Sequence, residues 1–306
     1  MGLIAPPSVS ASMRLSLSRR RWVPTRIRSV RASTASQFAG RTVLVTGASR
    51  GIGRSTAQRF ASLGAQVGLV AGDRQLLGEV AAELEGNHHI VAADLTDPAE
   101  CSRAVAEVAA ALGPVDVLVS CAGILRRAFL EDVTPADFEQ SYRLHVGAAM
   151  WLAQEVLPGM RERGFGRIVL VSSELGLIGG PSYASYCSSK WAMVGLGEVL
   201  AHELAGSGVR QTVICPGDVR TDQLTEEHQW GPTGGVTPEK AMSAEHVAGA
   251  IVRAAERGSP LVVVDRPYLR VAFWFMRRAP RLRVAIVADA YKKLMRERAG
   301  GGSLQG

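Results

Sequence analysis

Short apolar runs rich in β-branched residues alternate with stretches of helical periodicity from residue 41 onward. Seven of the runs have the length and composition of buried strands: residues 42–46, 66–71, 89–93, 115–120, 167–172, 210–215 and 261–264. Helices are predicted between them over residues 52–63, 75–85, 98–112, 135–160, 183–205 and 244–257. This alternation predicts an α/β fold with one doubly wound parallel sheet of seven strands and helices on both faces.

The charge of the chain is unevenly distributed. The 306 residues have a formal net charge of +7, yet residues 1–41 carry eight arginines and no acidic residue. Residues 266–298 are also basic, so residues 42–265 have a net negative charge. Because a nucleic-acid-binding domain needs a basic surface on its folded body, this pattern argues against nucleic acid as a partner.

Three segments follow from these patterns. Residues 1–40 are predicted to be a disordered basic extension, residues 41–265 the folded domain, and residues 266–306 a basic amphipathic C-terminal extension. The Ser- and Arg-rich composition of the first segment is also that of an organelle transit peptide, which is the alternative. The cysteines have no metal-ligand or paired spacing, so we interpret them as reduced thiols of a cytoplasmic protein.

A glycine-rich segment follows the first predicted strand, at the carboxyl edge where a doubly wound sheet binds its ligands. Its residues are Gly47, Ala48, Ser49, Arg50, Gly51, Ile52 and Gly53. Glycines permit a tight turn and let the backbone approach a pyrophosphate, and the next helix points its positive end at that charge. The segment predicts a dinucleotide-binding loop, the alternative being an ordinary turn between a strand and a helix.

Tyr186 and Lys190 lie four residues apart in a predicted helix, which places their side chains on one face. A free tyrosine titrates near pH ~10, and a neighbouring ammonium group lowers its pKa by stabilising the phenolate. Tyr186 is therefore a candidate proton donor and acceptor. Ser173 follows the fifth predicted strand and is a candidate to hold the substrate oxygen. Tyr183 has Cys187 instead of a lysine on its face, and the alternative for the whole group is a surface Tyr–Lys pair.

The glycine loop, the Ser173, Tyr186 and Lys190 group, and a later Pro-Gly turn together resemble the short-chain dehydrogenase/reductase family over about residues 40–264. The resemblance implies a Rossmann-type sheet, a nicotinamide dinucleotide as cofactor, and hydride transfer to or from a carbonyl or alcohol carbon. It implies cofactor contacts by Gly47, Ser49, Arg50, Gly51, Ile52, Gly53, Asp94, Leu95, Cys121, Ala122, Gly123, Tyr186, Lys190, Pro216, Gly217, Val219 and Thr221.

Within this set, Asp94 and Leu95 resemble the family's adenine-contacting pair, although Asp94 also suits the start of a helix. The Pro216-Gly217 turn is expected near the nicotinamide. Val219 is expected at its carboxamide, and Thr221 there or near the phosphates. A simple turn is the alternative for this segment.

The end of the second predicted strand indicates which dinucleotide is used. An acidic residue there binds the ribose hydroxyl of NAD and repels the phosphate of NADP, and this chain has Ala71 at that position. Arg50 and Arg74 are both candidates to bind the phosphate. Asp73 is the one nearby acid that favours NAD. We therefore expect NADP, with NAD as the alternative.

Two positions depart from the family pattern. Ser120-Cys121 stands where the family has two asparagines, so backbone contacts to the cofactor are expected to persist without the usual side-chain contacts. His145 stands where the family has an asparagine whose water links the lysine to solvent. An imidazole can relay protons, which makes His145 a candidate catalytic residue with altered pH dependence. The equal alternative is a core histidine with the relay rerouted.

These features predict an NADP(H)-dependent oxidoreductase that interconverts a carbonyl and a secondary alcohol. Leu125, Leu175 and Leu177 favour an apolar substrate, with ordinary core packing as the alternative. Residues 222–243 are expected to form a mobile lid over the substrate. Trp230 is a candidate to close the pocket, and an exposed loop tryptophan is the equal alternative. The alternative is a nicotinamide-binding membrane-surface or assembly protein with little catalysis. It is motivated by His145, the changed Ser120-Cys121 pair and the two basic ends.

The remaining expectations concern partners. The long helices predicted over residues 135–160 and 183–205 are expected to pair in a homodimer or homotetramer, as the resemblance implies. Residues 266–298 mix arginines with Phe273, Trp274 and Phe275, which fits a helix on an anionic membrane surface. The alternative is a helix docked on a partner subunit or on the body of the same chain.

Overall fold

Seven parallel strands form the centre of the protein, in the order β3-β2-β1-β4-β5-β6-β7. The structure is a computed structural model that describes residues 37–230, 238–265, 279, 281, 284, 285, 287–289, 291, 292 and 296. The strands are β1 (Thr42–Thr46), β2 (Gln66–Ala71), β3 (His88–Ala92), β4 (Val115–Ser120), β5 (Gly166–Val171), β6 (Val209–Pro216) and β7 (Leu261–Val264). The chain builds one half of the sheet outward from β1 and then the other half from β4, so the predicted doubly wound Rossmann-type fold is confirmed.

Helices connect the strands and begin at recognisable signals. They are α1 (Gly51–Ala61), α2 (Arg74–Ala82), α3 (Pro98–Leu112), α4 (Pro135–Tyr142), α5 (Ala148–Glu162), α6 (Ala184–Glu203), α7 (Asp222–Trp230) and α8 (Ala244–Arg257). The side chains of Asp73, Asp97, Thr134 and Ser243 accept backbone N–H bonds at the starts of α2, α3, α4 and α8. Such short polar caps satisfy N–H groups that the first helical turn leaves free.

The structure differs from the sequence prediction in two helical regions. The single helix predicted over residues 135–160 is two helices, α4 and α5, separated by the π-helical turn Arg143–Gly147. A one-turn π segment preserves the helical hydrophobic pattern on both sides, so periodicity alone did not reveal it. Residues 222–243, predicted to be a mobile lid and not assigned a helix, begin with α7, and residues 231–237 lie outside the described residues.

Each strand contributes to two hydrophobic cores, one on each face of the sheet. Leu44 packs in the core beneath α3, α5 and α6, whereas Val43 and Val45 pack in the core beneath α1, α2 and α8. This alternation is the period of a strand covered on both faces. It makes the sheet a rigid platform whose carboxyl edge presents the loops that form the site.

The packed structure begins at least as early as Phe38, before residue 41, where the sequence predicted that the folded domain starts. It is fully buried, and its ring contacts that of Phe60 edge to face at 5.1 Å between centroids. Residues 37–40 therefore belong to the packed structure and not to a disordered extension, while residues 1–36 lie outside the described residues. The segment 266–298 falls largely outside them as well. Within the described part of the chain, no helix is both long and apolar enough to cross a membrane.

Candidate functional site

The loop between β1 and α1 leaves no room for side chains at its glycines. Gly47 has a φ of +63° and Gly51 a φ of +51°, both in the left-handed region that favours glycine. A Cβ atom on Gly53 would lie 2.1 Å from the carbonyl oxygen of Gly47, and one on Gly47 would lie 2.9 Å from the Cα atom of Ala122. The glycine spacing is thus required by backbone contacts within the loop and with the segment after β4.

The N-terminus of α1 has the properties of an anion site. The capping residue Arg50 makes no side-chain hydrogen bond to the helix, and its first turn contains no acidic residue. Gly51, Ile52 and Gly53 line the adjoining cleft. Free N–H groups and the positive end of the helix therefore face a space that fits a phosphate group.

A cleft of about 880 Å³ runs along the carboxyl edge of the sheet. It brings together most of the residues that the sequence predicted for the site: Gly47, Ser49, Arg50, Gly51, Ile52, Gly53, Cys121, Gly123, Ser173, Tyr186, Lys190, Pro216, Gly217, Val219 and Thr221. Arg74, Asp94, Leu95, Ala122 and His145 are not among its lining residues. Leu95 and Ala122 are buried, and the Asp94 carboxylate accepts hydrogen bonds from Thr96.

Ser173, Tyr186 and Lys190 meet where β5 ends and α6 begins. The Ser173 hydroxyl caps the short 3-10 turn Glu174–Gly176 by accepting the N–H of Leu175 at 3.1 Å. Tyr186 is 8% exposed and Lys190 is 4% exposed. The ammonium nitrogen of Lys190 lies 5.6 Å from the centre of the Tyr186 ring, as expected for neighbours on one helical face.

Burial controls the ionisation of both side chains. It lowers the pKa of Lys190 to about 8. It raises the pKa of Tyr186 above its usual range, and hydrogen bonds from Ser173 and Gln223 oppose that rise. The sequence predicted a lowered Tyr186 pKa through Lys190. In this structure burial has the largest effect on the pKa of Tyr186, and it acts in the opposite direction to the predicted lowering.

Lys190 is held by a hydrogen bond to the backbone, and the backbone of Gly123 approaches it closely. Its Nζ atom donates a hydrogen bond to the carbonyl oxygen of Val171 at 3.0 Å. A Cβ atom on Gly123 would lie 3.5 Å from this nitrogen and 3.1 Å from Nε2 of His145. Glycine at position 123 therefore leaves space for both side chains.

His145 lies in the π-helical turn and is fully buried. Its Nε2 atom accepts the N–H of Ile124 at 3.0 Å, so Nδ1 carries the proton and donates it to the Ser189 hydroxyl at 2.8 Å. Burial, with the charge of Lys190, holds the pKa of the ring well below its usual range. Both nitrogens are occupied, which is the arrangement of a core histidine. A relay through the ring would have to break one of these bonds.

The segment Ser120-Cys121-Ala122 is held by its backbone. The Thr46 hydroxyl accepts the N–H groups of Cys121 at 3.0 Å and Ala122 at 3.1 Å. Burial raises the pKa of the Cys121 thiol to about 11. The loop after β4 is therefore tied to β1 without the two asparagines that the family usually has.

At the end of β2, the acid that favoured NAD, Asp73, has a structural role. The Asp73 carboxylate accepts the N–H of Leu76 at 3.0 Å and caps α2. Ala71 is buried at the end of the strand. Of the two arginines proposed for the phosphate, Arg50 lines the cleft and Arg74 does not.

The substrate side of the cleft is built by residues that the sequence only partly identified. Leu125 and Leu175 line it, as predicted, whereas Leu177 is buried in the core under α5 and α6. Gln223 and Glu227 of α7 also line it. They were missed because their segment has no clear apolar periodicity. The side chain of Trp230 lies outside the described residues.

Glu174 is a further residue of the cleft that the sequence did not identify. It follows Ser173 and reaches the space above Gly217, where a Cβ atom would lie 3.0 Å from its carboxylate and 2.7 Å from that of Asp265. Burial, followed by a hydrogen bond with Asp265 and by the nearby charges, raises the pKa of Glu174 to about 10. Glu174 is therefore protonated at neutral pH. Its environment depends on tertiary contact between the ends of β5, β6 and β7.

Some residues after position 280 contact the folded body near the same cleft. Val287 lines the cleft, and the ring of Tyr291 contacts Phe129 at 6.3 Å between centroids. Val287 and Tyr291 therefore contact the body of their own chain. This is one of the alternatives to membrane contact that the sequence left open for residues 266–298. The arginines and aromatic residues at 266–278 lie outside the described residues.

Comparison with known proteins places the chain among enzymes of one family. A family model described as short chain dehydrogenase matches residues 41–231. The 3-oxoacyl-[acyl-carrier-protein] reductase of Rickettsia bellii is 30% identical over 228 residues, covering 74% of this chain and 93% of that protein. The D-threitol dehydrogenase of Mycolicibacterium smegmatis is 32% identical over 242 residues, covering 75% and 93%.

A third similar protein is the 2-dehydro-3-deoxy-L-rhamnonate dehydrogenase (NAD(+)) of a Sphingomonas strain, 34% identical over 196 residues, which cover 63% of this chain and 78% of that protein. The names of these three relatives refer to different alcohols and carbonyl compounds. The chain belongs to the short-chain dehydrogenase/reductase family, whose members bind NAD or NADP and act as oxidoreductases on alcohol and carbonyl groups.

Proposed function

We propose that this protein is an NADP(H)-dependent oxidoreductase that interconverts an apolar ketone and the corresponding secondary alcohol. The observation that carries the proposal is that Ser173, Tyr186 and Lys190 line the same cleft as the glycine loop. A proton-transfer group and a dinucleotide-binding loop in one cleft are what hydride chemistry on a carbonyl requires.

In the proposed reaction, NADP(H) bound along the glycine loop supplies or accepts the hydride. Ser173 donates a hydrogen bond to the substrate oxygen and holds it beside the Tyr186 phenol. Tyr186 donates its proton to that oxygen during reduction and accepts it during oxidation. Lys190, buried and bonded to Val171, provides the positive charge that favours the phenolate.

The preference for NADP is supported by three residues at the end of β2 and in the loop. Ala71 places no negative charge where a 2′-phosphate would lie, and Asp73 is engaged in capping α2. Arg50 is exposed at the mouth of the cleft and is free of helix capping. An arginine in this position matches a phosphate by charge and geometry.

The apolar substrate is supported by the lining of the cleft beyond Tyr186. Leu125, Leu175, Ile178 and Leu224 line this side of the cleft. Burying such side chains against an apolar substrate is favourable in proportion to the area removed from water.

We also propose assembly as a homodimer or homotetramer. Phe138 of α4, Met150 of α5, and Trp191 and Val199 of α6 are exposed large apolar side chains. Exposed apolar residues of this size on neighbouring helices are typical of a surface that another subunit covers.

The test of the proposed function is a panel of ketones and secondary alcohols, followed through nicotinamide absorbance with NADP and NAD in parallel. We expect turnover of apolar substrates and a preference for NADP. The Tyr186→Phe variant is expected to lose about 10²–10⁴-fold in kcat, because it lacks the proton donor, while its NADPH affinity stays within about twofold.

Tyr183→Phe is the matched control, since it removes the other tyrosine hydroxyl at the start of α6, and it should lose far less than Tyr186→Phe. Equal losses in the two variants would contradict the assignment of proton transfer to Tyr186. Tight NADPH binding with no turnover of any substrate would instead favour the alternative of a nicotinamide-binding assembly protein.

A further inference from the structure

Arg127, in the loop after β4, contacts two residues that line the substrate side of the cleft. It is 8% exposed, and its Nε and Nη2 atoms donate hydrogen bonds to the Ser182 hydroxyl at 3.2 and 3.0 Å. Its Nη1 atom donates to the backbone oxygen of Glu227 at 3.2 Å, and the guanidinium lies 4.8 Å from the centre of the Tyr183 ring. Because a buried charge must be paired or hydrogen-bonded, these contacts determine where the guanidinium lies.

The first of these contacts fixes the start of α6. Ser182 has a φ of +66°, and in the part of the chain that the structure describes it is the one non-glycine residue with a positive φ. Its carbonyl oxygen accepts the N–H of Ala128 at 3.0 Å. No side chain caps α6 at Tyr183. Such a strained residue persists only where its surroundings hold it, so the first turn of α6, which contains Tyr186, is held from the loop after β4.

The second contact fixes α7. The carbonyl oxygen of Glu227 is among the last four of the helix, which have no hydrogen-bond partner within it, and Arg127 satisfies this one. A positive charge near the C-terminal end of a helix is also favourable. The Tyr183 hydroxyl donates a hydrogen bond to the Glu227 carboxylate. The wall of the cleft formed by α7 is therefore joined to the start of α6 through one arginine and one tyrosine.

We propose that Arg127 is a positioning residue for substrate binding: it holds α7 against the start of α6 and so fixes the width of the substrate side of the cleft. The inference rests on the proposed function, because it assigns the substrate to the space between α7 and Tyr186. Arg127 itself does not line the cleft. It therefore sets the affinity for substrate through the two elements that it joins.

The proposal requires the shape of arginine as well as its charge. The three nitrogen atoms of a guanidinium are fixed in one plane, so Arg127 donates to Ser182 on one side and to Glu227 on the other. A lysine has one nitrogen atom on a flexible chain and cannot reproduce both directions. Arg127→Lys therefore separates the effect of geometry from the effect of charge.

Arg167 provides a matched control. It is 7% exposed, and its guanidinium donates hydrogen bonds to the backbone oxygens of Ala255 at 2.9 Å and Gly166 at 2.8 Å. It lies near the amino end of β5, away from the carboxyl edge that carries the cleft, and is not among the lining residues. Arg167→Ala thus removes a buried arginine that bonds to backbone without touching the substrate side.

The kinetic test compares Arg127→Ala, Arg127→Lys and Arg167→Ala in the full chain, with an apolar ketone and NADPH. We expect Arg127→Ala to raise the KM for the ketone about tenfold and to change kcat by less than about threefold, because lost binding that is uniform along the reaction raises KM alone. Arg127→Lys should raise KM by a smaller factor. Arg167→Ala should leave KM within about twofold, and all three should keep their NADPH affinity within about twofold.

The second measurement needs no turnover. Hydrogen exchange of the α7 amides, followed by mass spectrometry without substrate, should be at least about tenfold faster in Arg127→Ala than in the wild type and unchanged in Arg167→Ala. Millimolar guanidinium ion, which fits the space that Arg127→Ala leaves, should lower KM and slow the exchange again. Sodium ion at the same concentration controls for ionic strength. Melting temperatures identify a variant that fails to fold, in which case Arg127→Lys decides the outcome.

An unchanged KM with unchanged α7 exchange in the Arg127 variants would overturn the proposal, and so would equal changes in Arg167→Ala. If the wild-type protein turns over no substrate, the proposed function fails, and the exchange of α7 still decides whether Arg127 holds this helix. Normal turnover with no response of KM or exchange to the Arg127 substitutions refutes the inference and leaves the proposed function standing.

Discussion

The nucleotide side and the substrate side of the cleft are built by different means. The nucleotide side is made of backbone: Gly47, Gly51 and Gly53 pack without space for a Cβ atom, and α1 presents an uncapped N-terminus. The substrate side is made of side chains that pair across long sequence distances, such as Tyr183 with Glu227. The close backbone contacts leave no space for an added Cβ atom, whereas each side chain of a pair can be substituted without moving the backbone.

This difference separates binding from turnover. Substitutions on the nucleotide side should change the affinity for the dinucleotide and the stability of the loop. Substitutions on the substrate side should change kcat, its pH dependence, or the choice of substrate. The following predictions test that separation.

On the nucleotide side, the largest effect is expected for Gly53→Ala. The added Cβ would meet the Gly47 carbonyl oxygen at 2.1 Å, so the backbone of the loop must shift. We expect a loss of roughly 1–3 kcal/mol in the free energy of unfolding and an NADPH affinity at least about tenfold weaker. Thermal unfolding and NADPH fluorescence titration measure the two quantities.

Gly78→Ala is the matched control, because a Cβ atom at Gly78 in α2 would meet nothing within 4 Å. In a helix this change is expected to stabilise by up to about 1 kcal/mol. Unchanged NADPH affinity in Gly53→Ala would contradict the prediction that this loop binds the nucleotide.

A smaller effect is expected for Arg50→Ala. Loss of a charged hydrogen bond of about 1.5–3 kcal/mol should weaken NADPH binding by about tenfold or more and leave NADH binding within about twofold. Arg74→Ala is the comparison, since Arg74 does not line the cleft, and should weaken NADPH binding less. Equal weakening of NADPH and NADH by Arg50→Ala would show that Arg50 does not select the 2′-phosphate.

The smallest effect on nucleotide affinity is expected for Glu174→Gln, whose consequence is a pH dependence of stability. Because the folded-state pKa of Glu174 is raised to about 10, the folded protein retains a proton that the unfolded chain releases. Stability should therefore fall in the wild type as pH rises from about 5 towards 9, and less so in the neutral variant. The melting temperatures should agree near pH 5 and diverge in favour of Glu174→Gln at pH 9.

Glu85→Gln serves as the control at an exposed glutamate. The melting temperature of Glu85→Gln should follow that of the wild type at both pH 5 and pH 9. A parallel pH dependence of the wild type and Glu174→Gln would contradict the raised pKa of Glu174.

The candidate site was predictable where its signals are local. The glycine loop and the Tyr186–Lys190 pair depend on spacing within one turn of chain, and Ser173 follows an apolar strand at a recognisable distance. Leu177 was misassigned to the substrate side because a leucine that lines a cleft and one that fills a core have the same local pattern. His145 was identified by position, but its two hydrogen-bond partners became visible only in the folded chain.

By itself, the sequence determined the seven strands, the doubly wound sheet and the residues that meet at its carboxyl edge, because strand and helix periods and turn residues act over a few positions. Tertiary structure alone decided that Asp73 caps α2, that Gly123 leaves space for Lys190 and His145, and that α7 faces α6. The physical reason is that hydrogen bonds, burial and pKa depend on which groups are neighbours in space, and segments far apart in the chain become neighbours only when the sheet forms.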